Sequence, residues 1–191
     1  MQTTSSDAQW LARFAEGDAA AARVLTDRLA PRCLALAIRM MGERAEAEDI
    51  TQEAMLRLWR IAPDWEDGQA QVSTWLYQVT LNLCRDRLRR AHRKQVQLDA
   101  VAEPMDPAPG GEARLQARAR NAALQAALQE LPERQRQAVV LRHIEGLANP
   151  EIAQIMEISV EAVESLTARG KRALAKLLLV QREELGLTHD T

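Results

Sequence analysis

Apolar positions along the chain recur at three- and four-residue intervals, and strand-like alternation never lasts more than a few residues. Residues 8–30 carry Trp10, Leu11 and Phe14 on one stripe and Val24, Leu25 and Leu29 on a second, which predicts a helix pair broken near Gly17 and Asp18. Pro31 suits the first position of a new helix, where no N–H is lost, and Leu34, Ile38 and Met41 follow at helical spacing up to Gly42. Ile50, Ala54 and Leu58 line a helix from about Ala45 to Ile61, which Pro63 stops. The next helix starts near Ser73, where Ser73 or Thr74 can cap, and carries Leu76, Val79, Leu83 and Leu88. Residues 95–111 gather Pro104, Pro107, Pro109, Gly110 and Gly111, and prolines so close together prevent a continuous helix. Downstream, Ala113 to Leu131 reads as a long Ala- and Leu-rich helix, and Pro132 opens another that ends at Gly146. Asn149 then serves as N-cap, with Pro150 at the first position of a short helix to about Met156. After Glu157, Ile158 and Ser159, a second helix runs from Val160 to about Val180. Ile152, Ala153, Met156, Ile158, Val163 and Leu166 supply the crossing contacts of a helix-turn-helix. The expectation is an all-α chain of two small helical domains, residues 1–94 and 112–182, joined by a flexible linker at 95–111 and followed by a tail at 183–191.

Composition narrows the class. Of 191 residues, 47% are hydrophobic, and 8 Gly with 7 Pro are too few for a collagenous or low-complexity chain. Cys33 and Cys84 lie in apolar helical patterns without CxxC spacing, so they read as buried thiols rather than a disulfide scaffold or zinc module. The N-terminal MQTTSSDAQW lacks the basic and apolar regions of a signal peptide, and no apolar run approaches the ~18 residues of a membrane helix. A cytoplasmic protein without membrane insertion is expected. His92, His143 and His189 have no Glu or Cys at metal-ligand spacing, and neither a phosphate-cradling glycine loop nor a nucleophile elbow occurs. No metal, no cofactor and no enzymatic activity are therefore expected.

A net charge of −2 argues at first against a nucleic-acid partner, but the charge is segregated. Arg85, Arg87, Arg89, Arg90, Arg93 and Lys94 face a single Asp86 within ten residues, and Arg169, Lys171, Arg172 and Lys176 lie in a stretch free of acids. One or two cations would only complement a helix C-terminus; this many favour phosphate contact. Trp65, Trp75 and Tyr77 precede the first run, and rings beside a basic helix suit stacking with unpaired bases. Packing of Trp75 and Tyr77 in the core is the competing reading. Asp49, Gln52, Glu53 and Leu56 share one helix face, either a docking surface for a basic protein or a solvated charge run.

The succession AEDITQEAMLRLW, STWLYQVTLNLCRDRLRR, Pro-rich linker and LPERQRQAVVLRHIEGLANPEIAQIMEISVEAVESLTARGKRAL resembles a small two-domain RNA polymerase sigma factor of the extracytoplasmic-function group, over nearly the whole chain. The resemblance implies a factor that binds core polymerase, recognises minus-35 and minus-ten promoter elements and promotes initiation. It places Asp49, Ile50, Gln52, Glu53 and Leu56 against the coiled coil of the largest polymerase subunit, with the flap region as a further contact. It gives Asn82, with the loop from Trp65 to Gln71, a pocket for a flipped base of the minus-ten element, and Arg85, Arg89, Arg90 and Arg93 its phosphates. It places the helix-turn-helix, Asn149 to Arg169, in the minus-35 major groove, where Ser165, Arg169, Lys171 and Arg172 are the candidate readers. A cognate anti-sigma factor is a further implied partner. Departures stand at Glu157, where the family usually has glycine, and at Glu161 and Glu164, where small or basic residues are common. A left-handed backbone at Glu157 would cost roughly 1 kcal/mol, unless the turn takes another geometry. Two other readings compete: an ordinary helix-turn-helix regulator, which leaves the first unit unexplained, and a sigma-like decoy for an anti-sigma factor, which has no need of the basic run or Asn82.

Overall fold

The computed structural model describes residues 6–66, 71–95 and 112–184, and among these every regular element is helical. Helix α1 (Asp7–Ala15) is closed by a capping box, in which Ser6 and Gln9 exchange side-chain and backbone bonds. The chain turns after it at Gly17, at φ +98°, and the Asp18 carboxylate caps α2 through the Ala20 N–H at 2.9 Å.

Helix α2 (Ala19–Met41) runs straight through Pro31, which therefore does not start a helix of its own. An interior proline forfeits one backbone bond and crowds the preceding turn. Leu25, Leu29, Cys33 and Leu36 are buried on both sides of it, and their packing outweighs that local cost.

Helix α3 (Arg44–Ile61) passes into a 3-10 turn at Ala62–Asp64 that contains Pro63. Helix α4 (Val72–Gln95) begins just ahead of Ser73 and Thr74; the Gln71 carbonyl accepts the Trp75 N–H at 3.1 Å, so both hydroxyl residues lie inside the first turn rather than capping it. Helix α5 (Glu112–Gln129) leads to α6 (Glu133–Val139), which widens into a π turn at Val140–Ile144 before Gly146. Helices α7 (Asn149–Met156) and α8 (Val160–Glu184) form the helix-turn-helix. Asn149 is the first helical residue instead of the cap: Ala148 precedes it, with its N–H held by Glu151 at 2.9 Å. The expected linker beyond Gln95 and the tail beyond Glu184 lie outside the described residues.

Among the described residues, two apolar clusters form the interior. One joins α1 to the first half of α2, the second half of α3 and the start of α4 through Leu11, Leu25, Leu58 and Leu76. The other unites the two helical units: Met40, Ile50, Tyr77, Leu81 and Cys84 pack with Leu128, Leu131, Val139, Ile152 and Val163. The helix-turn-helix unit thus rests on α2 and α4.

Candidate functional site

On α3 the structure brings Asp49, Gln52 and Leu56 to the surface, and Leu56 is 43% exposed beside an apolar groove formed with Ala30, Leu34, Met55 and Trp59. Ile50, expected on this docking face, is only 3% exposed and packs in the shared core, because it lies on the inner side of α3 with Ala47 and Ala54. It lies beneath Asp49 and Glu53, at the floor of the cleft they form with Arg87 and Arg90. The Glu53 carboxylate pairs with Arg57 at 2.9 Å and with Arg60 at 3.8 Å, and the Arg57 bond holds its pKa below the usual carboxylate range. Arg87 of α4 pairs with Glu46 at 2.6 Å and Asp49 at 3.3 Å, so part of the basic run is matched by α3 acids.

On α4, Trp75, Gln78, Asn82, Arg85 and Arg89 fall on one stripe. Asn82, Arg89 and Arg90 are exposed. Arg85 is half-buried and stands 3.6 Å from Glu133 of the second unit. The Arg93 side chain lies outside the described residues, as do residues 67–70 of the loop before α4. Trp65 meets Trp75 edge-on at 6.0 Å, its indole N–H buried without a hydrogen-bond acceptor among the described residues. Tyr77 departs from the stacking expectation: it is buried, its hydroxyl donates to Glu145 at 2.8 Å, and desolvation together with that carboxylate pushes its pKa well up. A ring held in this way cannot stack on a base.

In the second unit the turn residue Glu157 adopts φ +53°, ψ +49°, the left-handed geometry that costs a non-glycine residue about 1 kcal/mol. Its carboxylate accepts from Gln78 Nε2 at 2.5 Å. Ser159 caps α8 by accepting the Ala162 N–H at 3.2 Å. Arg169, Lys171 and Arg172 are exposed, while Ser165 is half-buried and accepts from Arg169 Nη2 at 2.5 Å. Glu164 takes the Asn149 amide at 3.3 Å, and Glu161 is held below the usual carboxylate range by its own backbone N–H and the Ser159 hydroxyl. Glu161 therefore stays charged at the start of the candidate reading helix.

Two positions were not singled out by pattern. Gly170 lets α8 approach α6 so closely that an added Cβ would lie 2.6 Å from Val139 Cγ2; a lone glycine inside a helical run was the available signal. Arg136 is buried, donating to the Met40 carbonyl at 2.6 Å and to the Gln129 side chain, and burial lowers its pKa. Nothing local in ERQRQ distinguishes it from a solvated arginine. Cys33 and Cys84 are buried free thiols, pushed by desolvation to about 11 and about 12. Among the described residues no His, Cys, Asp and Glu group is arranged to hold a metal, and no helix is long and apolar enough to cross a membrane.

Two family models match the chain: sigma-70 region 2 over residues 25–94, and sigma-70 region 4 over residues 121–174. The chain is 36% identical over 164 residues to the ECF RNA polymerase sigma factor SigE of Mycolicibacterium smegmatis, a match covering 81% of this chain and 60% of that relative's length. It is 32% identical to the ECF RNA polymerase sigma factor SigW of Bacillus subtilis, over 85% of this chain and 91% of SigW. Among solved structures, CnrH in complex with the cytosolic domain of CnrY superposes with a TM-score of 0.67 at 28% identity, covering 92% of this chain and 99% of CnrH. The chain therefore belongs to the sigma-70 family, in its extracytoplasmic-function group, and is a promoter-recognising alternative sigma factor.

Proposed function

We propose that the chain acts through three surfaces on two units, residues 1–94 and 112–182, connected by residues 95–111. Asp49, Gln52, Glu53 and Leu56 on α3 dock on the largest subunit of core RNA polymerase, the groove behind Leu56 receiving an apolar side chain of the partner. Asn82 on α4 reads the minus-ten element, with Trp65 bordering the same site and Arg85, Arg89, Arg90 and Arg93 on its phosphates. Ser165, Arg169, Lys171 and Arg172 on α8 serve the minus-35 element, and the second unit also meets the polymerase flap region. The chain performs no covalent chemistry, works in the cytoplasm and is restrained by an anti-sigma partner; that a protein partner binds is in keeping with CnrH, which is found in complex with the cytosolic domain of CnrY.

The observation that carries this reading is the sorting of exposed side chains. The α3 face presents Asp49, Gln52 and Leu56, whereas Asn82, Arg89 and Arg90 are exposed on α4 and Arg169, Lys171 and Arg172 on α8 beyond the acids Glu161 and Glu164, in a chain whose net charge is only −2. Opposed faces of this kind suit one protein partner and one nucleic-acid partner. In-vitro transcription tests it. The purified chain with core polymerase is expected to yield promoter-specific transcripts from genomic DNA, and no specific transcript on any genomic template would refute it.

A further inference from the structure

The second unit does more than lie beside the first. Its helix α7 lies along the Tyr77, Leu81 and Cys84 side of α4, and three carboxylates at its rim reach across. Glu145 takes the Tyr77 hydroxyl, Glu157 takes the Gln78 amide at 2.5 Å, and Glu133 stands 3.6 Å from Arg85. Gln78 and Arg85 lie one helical turn to either side of Asn82, so two of these acids bracket it on its own stripe. Carboxylates here occupy donors that phosphates or bases would otherwise take.

Geometry makes this arrangement incompatible with promoter reading. Glu157 closes α7 three positions ahead of Val160, the first residue of α8, so its contact with Gln78 holds the turn of the helix-turn-helix against the minus-ten helix. The two elements lie about 25 base pairs apart, roughly 85 Å of duplex at the 3.4 Å spacing of each strand. One chain cannot span them until the units part.

We propose that Glu157 is a clasp: it accepts a strained left-handed backbone, where glycine would sit freely, and in return its carboxylate holds the helix-turn-helix over the minus-ten face of the free chain. The device rests on the reading of α4 given above. Free protein is thereby kept from DNA, and engagement with core polymerase supplies the interactions that open it.

Two substitutions that remove the same charge separate the clasp from simple electrostatics. Glu157→Gly relaxes the backbone and deletes the acceptor, whereas Glu157→Gln keeps an amide oxygen in reach of Gln78. The probes are a fluorescein-labelled single-stranded 20-mer of mixed sequence, followed by anisotropy, and small-angle scattering of the isolated chain. Glu157→Gly is expected to raise oligonucleotide affinity by roughly threefold to tenfold, in keeping with an exposed charged contact, and to increase the radius of gyration. Glu157→Gln is expected to stay near the original values. Equal gains for both variants, or no expansion with Glu157→Gly, would overturn the clasp. A chain that expands with Glu157→Gly yet binds no oligonucleotide in any form would keep the clasp and overturn the minus-ten role of α4.

Discussion

An added methyl at Gly170 would lie 2.6 Å from Val139 Cγ2 and 3.0 Å from the Gln135 carbonyl, so neither neighbour can yield without moving α6. Gly170→Ala is expected to lower stability by about 1–3 kcal/mol, the usual cost of overpacking, despite alanine's better helix propensity. Thermal denaturation reads this directly, and an unchanged melting temperature would show that α6 and α8 part readily enough to admit a methyl group. Asn82 is the opposite case. It is exposed and contributes little to the core, so Asn82→Ala should leave the melting temperature alone. Its expected effect is on discrimination among minus-ten sequences, which should weaken more than total affinity in holoenzyme binding assays; equal loss on all sequences would contradict a base-reading role.

At the scale of elements, α2 carries Pro31 in its interior. An interior proline costs a helix about 3 kcal/mol, partly offset by its stiffening of the unfolded chain. Pro31→Ala should therefore stabilise the protein by about 2 kcal/mol, seen as a higher denaturation midpoint; a lower one would mean that α2 needs a bend for its packing. The α3 face makes a separate prediction. Asp49 and Glu53 pair with arginines of the same unit at the surface, and exposed pairs of this kind contribute little to stability. Replacing both with Lys should leave the circular dichroism spectrum intact while core polymerase affinity falls on the order of tenfold or more, since like charges set together across an interface are strongly disfavoured. Unchanged core binding would reject this docking face.

Across the whole molecule, Arg136 ties α6 to the end of α2, a partner 96 residues away in the chain. Arg136→Ala removes that bond, leaves the Met40 carbonyl unpaired and opens a cavity, an expected loss of about 2–4 kcal/mol. Urea denaturation should show the midpoint falling and the single transition splitting toward two, because the shared core no longer couples the units; an unchanged midpoint would place the coupling elsewhere. Much of the architecture was legible in the chain. The helix-turn-helix, the break at Gly17 and the stop at Pro63 follow from apolar spacing and from residues that act within a few positions of themselves. The sorting of charge onto separate helix faces is equally local, which is why the motifs carrying the family resemblance could be read unaided. The sequence alone thus determined most of the helices, their apolar stripes and most residues of the candidate DNA and polymerase surfaces. Only the tertiary structure decided that α2 continues through Pro31, that Ile50 and Tyr77 turn inward, that Glu157 takes a left-handed turn, and that the second unit closes over α4. Periodicity records which side of a helix is apolar. Which distant surface covers it is settled by packing between residues far apart in the chain, and no local spacing encodes that choice.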